Sequence, residues 1–150
     1  MWCGTIALAL HAIGGGLERI MADEPPIILL VDDDPEALIL LRRLLLSFAQ
    51  GYEIVTVDSG IAALALTAVR PVALVITDYY MPGMNGVQLT GAIKAASPKT
   101  RVAIITAYDV ADVARRAKDV AADYVMAKPF MPPQLKQMLE ESIPSAESSE

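Results

Sequence analysis

Five short apolar runs, each followed by a stretch of helical character, recur along residues 27–143 and constrain the fold more than any other feature. The runs are rich in Val, Ile and Leu, which is typical of strands buried on both faces of a parallel sheet. By periodicity alone, the first and third runs fit either a strand or a buried helix, and their length and flanking turns favour a strand. The runs are IILLV (27–31), YEIVTV (52–57), VALVIT (72–77), RVAIIT (101–106) and YVMA (124–127).

The stretches between the runs carry helix-start and turn signals. Pro35 is well placed in the first turn of a helix, and Asp58 or Ser59 can cap a later one. The segment MPGMNG at 81–86 is dense in turn-forming residues. Five strand–helix pairs with short connections predict one α/β domain with a parallel sheet and right-handed crossovers. The predicted helices cover residues 35–49, 60–69, 87–96, 109–117 and 133–143.

Composition limits the class of function. The chain is 54% hydrophobic and 20% charged, so most of it should fold. The net charge is −6 and there is no basic run, which argues against binding to nucleic acid. The single cysteine, Cys3, excludes an internal disulfide and a multi-cysteine metal site. Because no segment reaches the ~20 apolar residues of a membrane helix, we expect a cytoplasmic protein without membrane contact.

Both ends of the chain are expected to lie outside the fold, which leaves a domain at 25–143. Within residues 1–24, TIALALHAIGGG resembles a signal-peptide core only weakly, because no Lys or Arg precedes it and no clear cleavage site follows. Met21 opens MADEPP, which is typical of a start codon just ahead of a first strand. The lone residues His11 and Cys3 are not expected to bind metal. The acidic tail 144–150 is expected to be disordered.

Polar side chains stand where four of the five predicted strands end. Asp32 and Asp33 follow the first strand, Asp78 follows the third, Thr106 closes the fourth, and Lys128 follows the fifth. In a doubly wound sheet the carboxyl ends of the strands form the binding edge, so these side chains should converge. Three acidic groups at close range favour a bound cation. Their oxygen ligands suit Mg²⁺.

A hard divalent ion, a lysine and a hydroxyl around a central carboxylate form a site for phosphoryl chemistry. Asp78 is the natural centre because a carboxylate can attack phosphorus, while the metal and the lysine offset the charge of the transition state. Ala107 is small and leaves the approach open. The acidic pair Asp32 and Asp33 is therefore assigned to the metal, and Asp34 to capping the helix that follows.

Four motifs in this order and spacing resemble the receiver domain of two-component response regulators: ILLVDDDP, LVITDYYMPGMNG, VAIITAYD and AKPF. Each motif alone has an ordinary structural explanation, such as a solvated cap or a turn, and their order and placement at successive strand ends favour the receiver. The resemblance spans about residues 26–143. It implies a flavodoxin-like (βα)5 three-layer sandwich with strand order 2-1-3-4-5.

The resemblance also implies roles for the acidic residues. A histidine kinase or a histidine phosphotransfer protein would phosphorylate Asp78 in an Mg²⁺-dependent reaction. Asp33 and Asp78 would bind Mg²⁺ directly, together with the backbone carbonyl of Tyr80. Asp32 would act mainly through water.

The remaining site residues follow the same resemblance. Thr106, Ala107 and Lys128 would contact the phosphoryl group, and the Lys128–Pro129 bond would be cis. Two tyrosines, Tyr80 and Tyr108, stand two residues after Asp78 and Thr106 and could flank the phosphoryl group. Large rings there are expected to slow hydrolysis of an acyl phosphate.

One position departs from the family pattern. Receivers usually carry an aromatic residue three places before the lysine, and this chain has Val125 there. Tyr124 lies one place earlier, where strand alternation directs it to the other face. Either a bulge near Ala127 returns Tyr124 to the usual face, or the signal leaves through backbone shifts around the loop after the fourth strand. A regular strand needs no special device and favours the second alternative.

We therefore expect a non-enzymatic, stand-alone response regulator of the chemotaxis type, since only seven residues follow Ile143. Phosphorylation would change its affinity for a downstream partner protein. One alternative is an Mg²⁺-dependent aspartyl phosphatase of the haloacid dehalogenase type, which expects an acid two places after the nucleophile, where this chain has Tyr80. A second is a receiver-like binding scaffold that is not phosphorylated, which should have lost part of the acid–threonine–lysine set.

Overall fold

The computed structural model describes residues 24–143, and the expectations for residues 1–23 and 144–150 lie outside it. Its strands are β1 (Ile27–Val31), β2 (Glu53–Val57), β3 (Val72–Asp78), β4 (Arg101–Thr106) and β5 (Tyr124–Ala127). The helices between and after them are α1 (Pro35–Leu46), α2 (Gly60–Val69), α3 (Gly86–Ala96), α4 (Val110–Asp119) and α5 (Pro132–Ser142). No helix within residues 24–143 has the length and apolar character needed to span a membrane.

The strands pair in parallel in the order β2-β1-β3-β4-β5, which confirms the predicted flavodoxin-like architecture. Leu29 at the centre of β1 pairs with Val55 on one side and Val75 on the other. The pairing of β4 with β5 runs without a shift from Ala103 opposite Tyr124 to Thr106 opposite Ala127. All five carboxyl ends therefore lie along one edge of the sheet.

Alternating strand residues divide the core between the two faces of the sheet. Ile28 and Leu30 of β1 pack under α1 and α5, in a cluster that includes Leu45 and Leu135. The intervening Ile27, Leu29 and Val31 pack with Ala63, Leu89 and Ile93 of α2 and α3 on the other face. Full burial of one such side chain contributes about 1.5–3 kcal/mol. Burial on both faces explains why the β1 sequence is continuously apolar.

Side-chain caps set the helix starts. Asp34 accepts a hydrogen bond from the Glu36 N–H at 3.0 Å, which confirms its predicted role as the cap of α1. Ser59, one of the two predicted candidates, caps α2. Helix α4 begins at Val110, one residue later than predicted, because Asp109 is its cap and accepts hydrogen bonds from the backbone of the first turn. The cap has extended backbone, so it lies just outside the helix.

An ion-pair cluster joins α3, β4 and the turn before β5. The Asp123 carboxylate accepts hydrogen bonds from Lys94 Nζ at 2.7 Å, the Val102 N–H at 2.8 Å and Arg101 Nη1 at 3.0 Å. Burial raises the pKa of Asp123, but the hydrogen bonds from Lys94, Val102 and Arg101 lower it by more. The net pKa of Asp123 therefore lies below its ordinary value of 3.8.

We expect Asp123→Asn to lower the free energy of unfolding by about 1–3 kcal/mol at neutral pH, because it weakens three hydrogen bonds at once. The folded pKa is depressed, so the stability from Asp123 is present above its ordinary pKa and lost as the pH falls through the folded value. Urea unfolding at neutral pH and at about pH 3 should therefore show the difference from wild type narrowing in acid. Asp119→Asn, at an exposed acid of α4, is the control. Equal losses in the two variants would contradict the assignment.

Candidate functional site

The polar residues that follow the strands meet at the carboxyl edge of the sheet. Asp78 ends β3 and Thr106 ends β4. The pairing of Val31 with Thr77 places Asp32, the next residue after β1, beside Asp78. This is the edge where doubly wound folds bind their ligands.

Lys128, just after β5, forms ion pairs with carboxylates at the ends of β1 and β3. Its Nζ lies 3.0 Å from Asp78 Oδ1 and 3.4 Å from Asp32 Oδ2. The Lys128 N–H donates to the Thr106 carbonyl at 2.7 Å, which continues the β4–β5 ladder one residue beyond β5. The lysine therefore approaches both carboxylates from a backbone that is held to β4.

Three carboxylates face one another closely enough to hold a metal ion. Asp32, Asp33 and Asp78 each present an oxygen, and these oxygens all lie within 4.8 Å of one another. Asp32 and Asp78 are largely buried, while Asp33 is exposed. The donor set consists of oxygen alone and carries high negative charge, which fits Mg²⁺.

The electrostatics of the protein groups favour an added cation. Burial raises the pKa of Asp78; the hydrogen bond and charge of Lys128 lower it, the charge of Asp32 raises it again, and the net shift is upward. Burial lowers the pKa of Lys128, but the hydrogen bond and charge of Asp78 together with Asp32 raise it by more, so Lys128 is firmly protonated. Lys128 thus offsets only part of the free-energy cost of keeping Asp78 ionised in this buried, acidic site.

Thr106 is buried and already engaged. Its Oγ1 accepts a hydrogen bond from the Tyr108 N–H at 3.0 Å, so the hydroxyl is coupled to the loop between β4 and α4. Ala107, between them, is exposed and lines the cavity beside Asp78. The small Ala107 side chain therefore leaves Asp78 accessible.

The predicted tyrosine pair stands at the same edge. The rings of Tyr80 and Tyr108 have centroids 5.7 Å apart and an interplanar angle of 50°, a tilted aromatic contact. Both rings are mostly exposed to solvent, at 63% and 60%. Each ring extends from the loop that follows a strand ending in a site residue, Asp78 or Thr106.

A cavity of about 580 Å³ opens between the acidic residues and α1. Asp32, Asp78 and Lys128 line it at the sheet edge. The Lys128–Pro129 peptide bond is cis, and Pro129 and Phe130 line the same cavity. The rest of its wall is mostly apolar and includes Leu38, Leu41 and Leu44 of α1 and Ile76 and Ile105 of the sheet.

Gly86, predicted only as part of a turn, supports the site. A Cβ at this position would lie 2.6 Å from the Asp78 carbonyl oxygen and 3.0 Å from the Tyr79 Cα. The Gly86 N–H donates to the Tyr79 carbonyl at 2.7 Å, which fixes the loop between β3 and α3 against the end of β3. In the sequence, the glycine at position 86 was the only sign of this close approach, and it did not show which backbone atoms lie next to it.

The two candidates for the switch position lie on opposite faces of β5, as the alternation predicts. Tyr124 packs against the cluster under α1 and α5. Val125 packs with Ile104 and Val113 on the face covered by α4. The unshifted β4–β5 register contains no bulge that would return Tyr124 to the α4 face.

Comparison with known proteins agrees with this geometry. Residues 28–140 match the family model of the response regulator receiver domain. The response regulator protein FleR of Pseudomonas aeruginosa is 47% identical over 81 residues, which are 53% of this chain and 17% of that protein. Sporulation initiation phosphotransferase F of Bacillus subtilis is 30% identical over 95 residues, 63% of this chain and 77% of that protein. The chain covers 21% of another relative, a cyclic di-GMP phosphodiesterase of Thermotoga maritima.

Solved structures show the same fold. A response regulator receiver domain protein from Clostridium thermocellum superposes with a TM-score of 0.72 at 28% identity, covering 79% of this chain and 94% of that one. The chemotaxis protein CheY4 of Vibrio cholerae has a TM-score of 0.72 at 26% identity, covering 79% and 99%. From the family match across most of the described residues and the convergence of acids, threonine and lysine at one sheet edge, we conclude that this chain belongs to the receiver-domain family of response regulators.

Proposed function

We propose that this receiver domain accepts a phosphoryl group on Asp78 from a histidine kinase or a histidine phosphotransfer protein, and that the reaction requires Mg²⁺. The observation that carries the proposal is the placement of Lys128 Nζ 3.0 Å from Asp78 Oδ1, next to three carboxylates whose oxygens lie within 4.8 Å. The partly accessible Asp78 carboxylate thus lies next to one cation, the Lys128 ammonium, and beside carboxylate ligands for a second cation, the metal ion.

The chain's own residues account for the transfer. An Asp78 oxygen attacks the phosphorus of a phosphohistidine, a P–O bond forms and the P–N bond breaks. The imidazole carries a proton on its other ring nitrogen, so it leaves with the P–N electron pair as a neutral ring. Asp33, Asp78 and the Tyr80 carbonyl would hold Mg²⁺, whose charge would neutralise part of the negative charge on the transferring group. Lys128 stabilises the phosphoryl oxygens by charge-assisted hydrogen bonding. The Thr106 hydroxyl donates a hydrogen bond to another of these oxygens.

The cavity beside the site supplies a surface for the phosphodonor. Its α1 wall continues to exposed apolar side chains, with Leu40 at 61% exposure and Ile39 at 54%. Phe130 also lines this cavity. A groove with apolar walls accepts an amphipathic helix, and a donor helix seated here would bring its histidine to Asp78.

The role we propose is non-catalytic signalling, in which the phosphorylated form changes its affinity for a downstream partner protein. Incubation with radiolabelled acetyl phosphate, with and without Mg²⁺, tests whether the chain accepts a phosphoryl group and whether the reaction needs the metal. A base-labile label on the chain that appears only with Mg²⁺ is the expected result. Absence of label would favour the scaffold alternative, and sustained release of phosphate from phosphate esters would favour the phosphatase.

A second prediction concerns the division of the metal ligands. Asp32 Oδ1 already accepts the Asp34 N–H at 3.0 Å and Oδ2 lies 3.4 Å from Lys128 Nζ, so both of its oxygens have protein partners. The carboxylate of Asp33 is exposed. We expect Asp32→Ala to weaken Mg²⁺ binding about tenfold, as loss of an outer partner does, and Asp33→Ala to weaken it more.

Calorimetric titration of Mg²⁺ into each variant measures this difference. Asp34→Ala is the matched control, because it removes the adjacent carboxylate, which serves as a helix cap. Asp34→Ala should lower the free energy of unfolding by about 1 kcal/mol and leave the Mg²⁺ affinity unchanged. Equal losses for Asp32→Ala and Asp33→Ala would contradict the division between direct and water-mediated ligands.

A third prediction concerns the lifetime of the phosphorylated state. The contacting rings of Tyr80 and Tyr108 restrict the approach of the water that would attack the acyl phosphate in line. We expect Tyr80→Ser and Tyr108→Ser each to speed self-dephosphorylation on the order of tenfold, a barrier change of about 1.4 kcal/mol. Decay of isolated, labelled protein gives the rate. Leu46→Ser, an exposed apolar residue at the end of α1, should leave it unchanged.

A further inference from the structure

Helix α2 is apolar around its circumference except for Thr67, whose hydroxyl donates to the Leu64 carbonyl at 2.9 Å. Residues 60–69, GIAALALTAV, contain no Asp, Glu, Lys or Arg, whereas each of the other four helices in the described range carries at least one. Its inner face packs on the sheet through Ala63, and Leu64 and Leu66 pack against the same core cluster. A helix that is hydrophobic all round is normally buried all round, yet the outer face of α2 is open to solvent.

The outer face has a two-fold pattern. Ile61 and Val69 are its large side chains, each 75% exposed, and they stand four residues on either side of Ala65. The small residues Ala65 and Ala68 are exposed between them. On a helix, residues four apart share one face. The surface therefore has a low centre with a bulky apolar residue at each end.

We propose that α2 is a homodimerisation surface, on which a second copy of this chain packs its own α2 in the antiparallel sense about a two-fold axis at Ala65. In that arrangement Ala65 meets its counterpart, and Ile61 of each copy packs against Val69 of the other. The small central residues allow the helix axes to approach closely. A two-fold interface uses the same patch twice, and a patch whose pattern repeats about its own centre fits such an axis.

Charges at the two ends of α2 are complementary in the same arrangement. Asp58, just before the cap, is exposed, and Arg70, just after the last turn, keeps 32% of its side chain exposed. Antiparallel packing brings Asp58 of one copy towards Arg70 of the other. Arg70 already contacts Glu53 at 2.7 Å and Glu24 at 3.4 Å, and its guanidinium has five donors, enough for a further carboxylate. Parallel packing would instead oppose like charges at both ends.

The size of the surface sets the expected strength. A ten-residue helix is about 15 Å long. Its exposed face alone supplies far fewer than the roughly 20–30 residues that each side contributes to a standard interface. We therefore expect a weak dimer with a Kd on the order of 10–100 µM, at the low end of specific complexes. The N-terminus of α2 lies at the same sheet edge as Asp78, so antiparallel packing directs the two phosphoryl sites to opposite ends and leaves both open.

Sedimentation equilibrium of the full chain over a concentration series tests the proposal. Ile61→Lys and Val69→Glu should each weaken association about tenfold or more, because each places a charge against an apolar side chain. An equimolar mixture of the two variants should regain most of the dimer. In the mixed pair, the introduced lysine of one copy faces the introduced glutamate of the other at one end. The native contact between Val69 and Ile61 remains at the other end.

Leu46→Lys is the matched control, since it adds the same charge at an exposed apolar residue of α1 outside the cavity. It should dimerise as wild type does. A wild-type chain that stays monomeric throughout the series would overturn the proposal, as would association that survives both α2 substitutions. Loss in the single variants without recovery in the mixture would overturn the antiparallel pairing.

Discussion

Asp78→Asn is expected to abolish phosphorylation of this chain completely. The amide is a far poorer nucleophile than the carboxylate. The substitution also removes a proposed metal ligand and the negative charge that lies 3.0 Å from Lys128 Nζ. No neighbouring carboxylate is placed to substitute for it. Asp32 is held by the Asp34 N–H and Lys128, and Asp33 is proposed as a metal ligand. The measurement is transfer of radiolabel from acetyl phosphate with Mg²⁺ present, followed by base treatment to identify an acyl phosphate.

The matched control is Asp58→Asn, which changes an exposed acid at the same sheet edge, just after β2. It should be labelled as wild type is. Because Asp78→Asn relieves the burial of a charged group, which raises the pKa of Asp78, the variant should be at least as stable as wild type to urea. Label that persists on a folded Asp78→Asn chain would show that another residue accepts the phosphoryl group.

The strands and helices could be predicted almost completely from local patterns. Continuous apolar runs marked the strands because this sheet is covered on both faces, and residues such as Asp34 and Ser59 marked helix starts by capping chemistry that acts within a few residues. The strand order came from the resemblance to receivers, since hydrophobic pattern alone does not order parallel strands. Boundaries differed by one to three residues. Asp109 caps α4 in place of forming its first turn, and α1 ends at Leu46, three residues before the predicted end at residue 49.

What could not be predicted depends on distant parts of the chain meeting. The contact of Lys94 with Asp123 joins residues 29 apart in sequence, and no local pattern marks it. The close approach of Gly86 to the Asp78 carbonyl is similar, because it depends on how the β3–α3 loop folds back. The solvent exposure of one side of α2 could not be predicted either, since an apolar helical sequence normally indicates a buried helix.

The route by which the signal leaves the site depends on β4 and β5. Thr106 is buried and its Oγ1 accepts the Tyr108 N–H at 3.0 Å. A hydroxyl that donates to a phosphoryl oxygen gains a charge-assisted hydrogen bond, and any movement towards that oxygen displaces the Tyr108 N–H. On β5, Val125 occupies the α4 face with a small, stiff side chain. Tyr124 packs on the opposite face, against the α1 and α5 cluster.

We therefore expect Thr106→Ala to remove most of the conformational response to phosphorylation, and Tyr124→Leu to leave it largely intact. Leucine keeps apolar packing in the cluster under α1 and α5, so the protein should stay folded. The response can be measured as amide chemical-shift changes in residues 107–110 when beryllofluoride and Mg²⁺ are added. Thr106→Ser retains the hydroxyl and should respond as wild type does. If Tyr124→Leu instead abolishes the response in a folded protein while Thr106→Ala preserves it, the signal passes through the aromatic ring on the α1 and α5 face, and the loop after β4 is not its route.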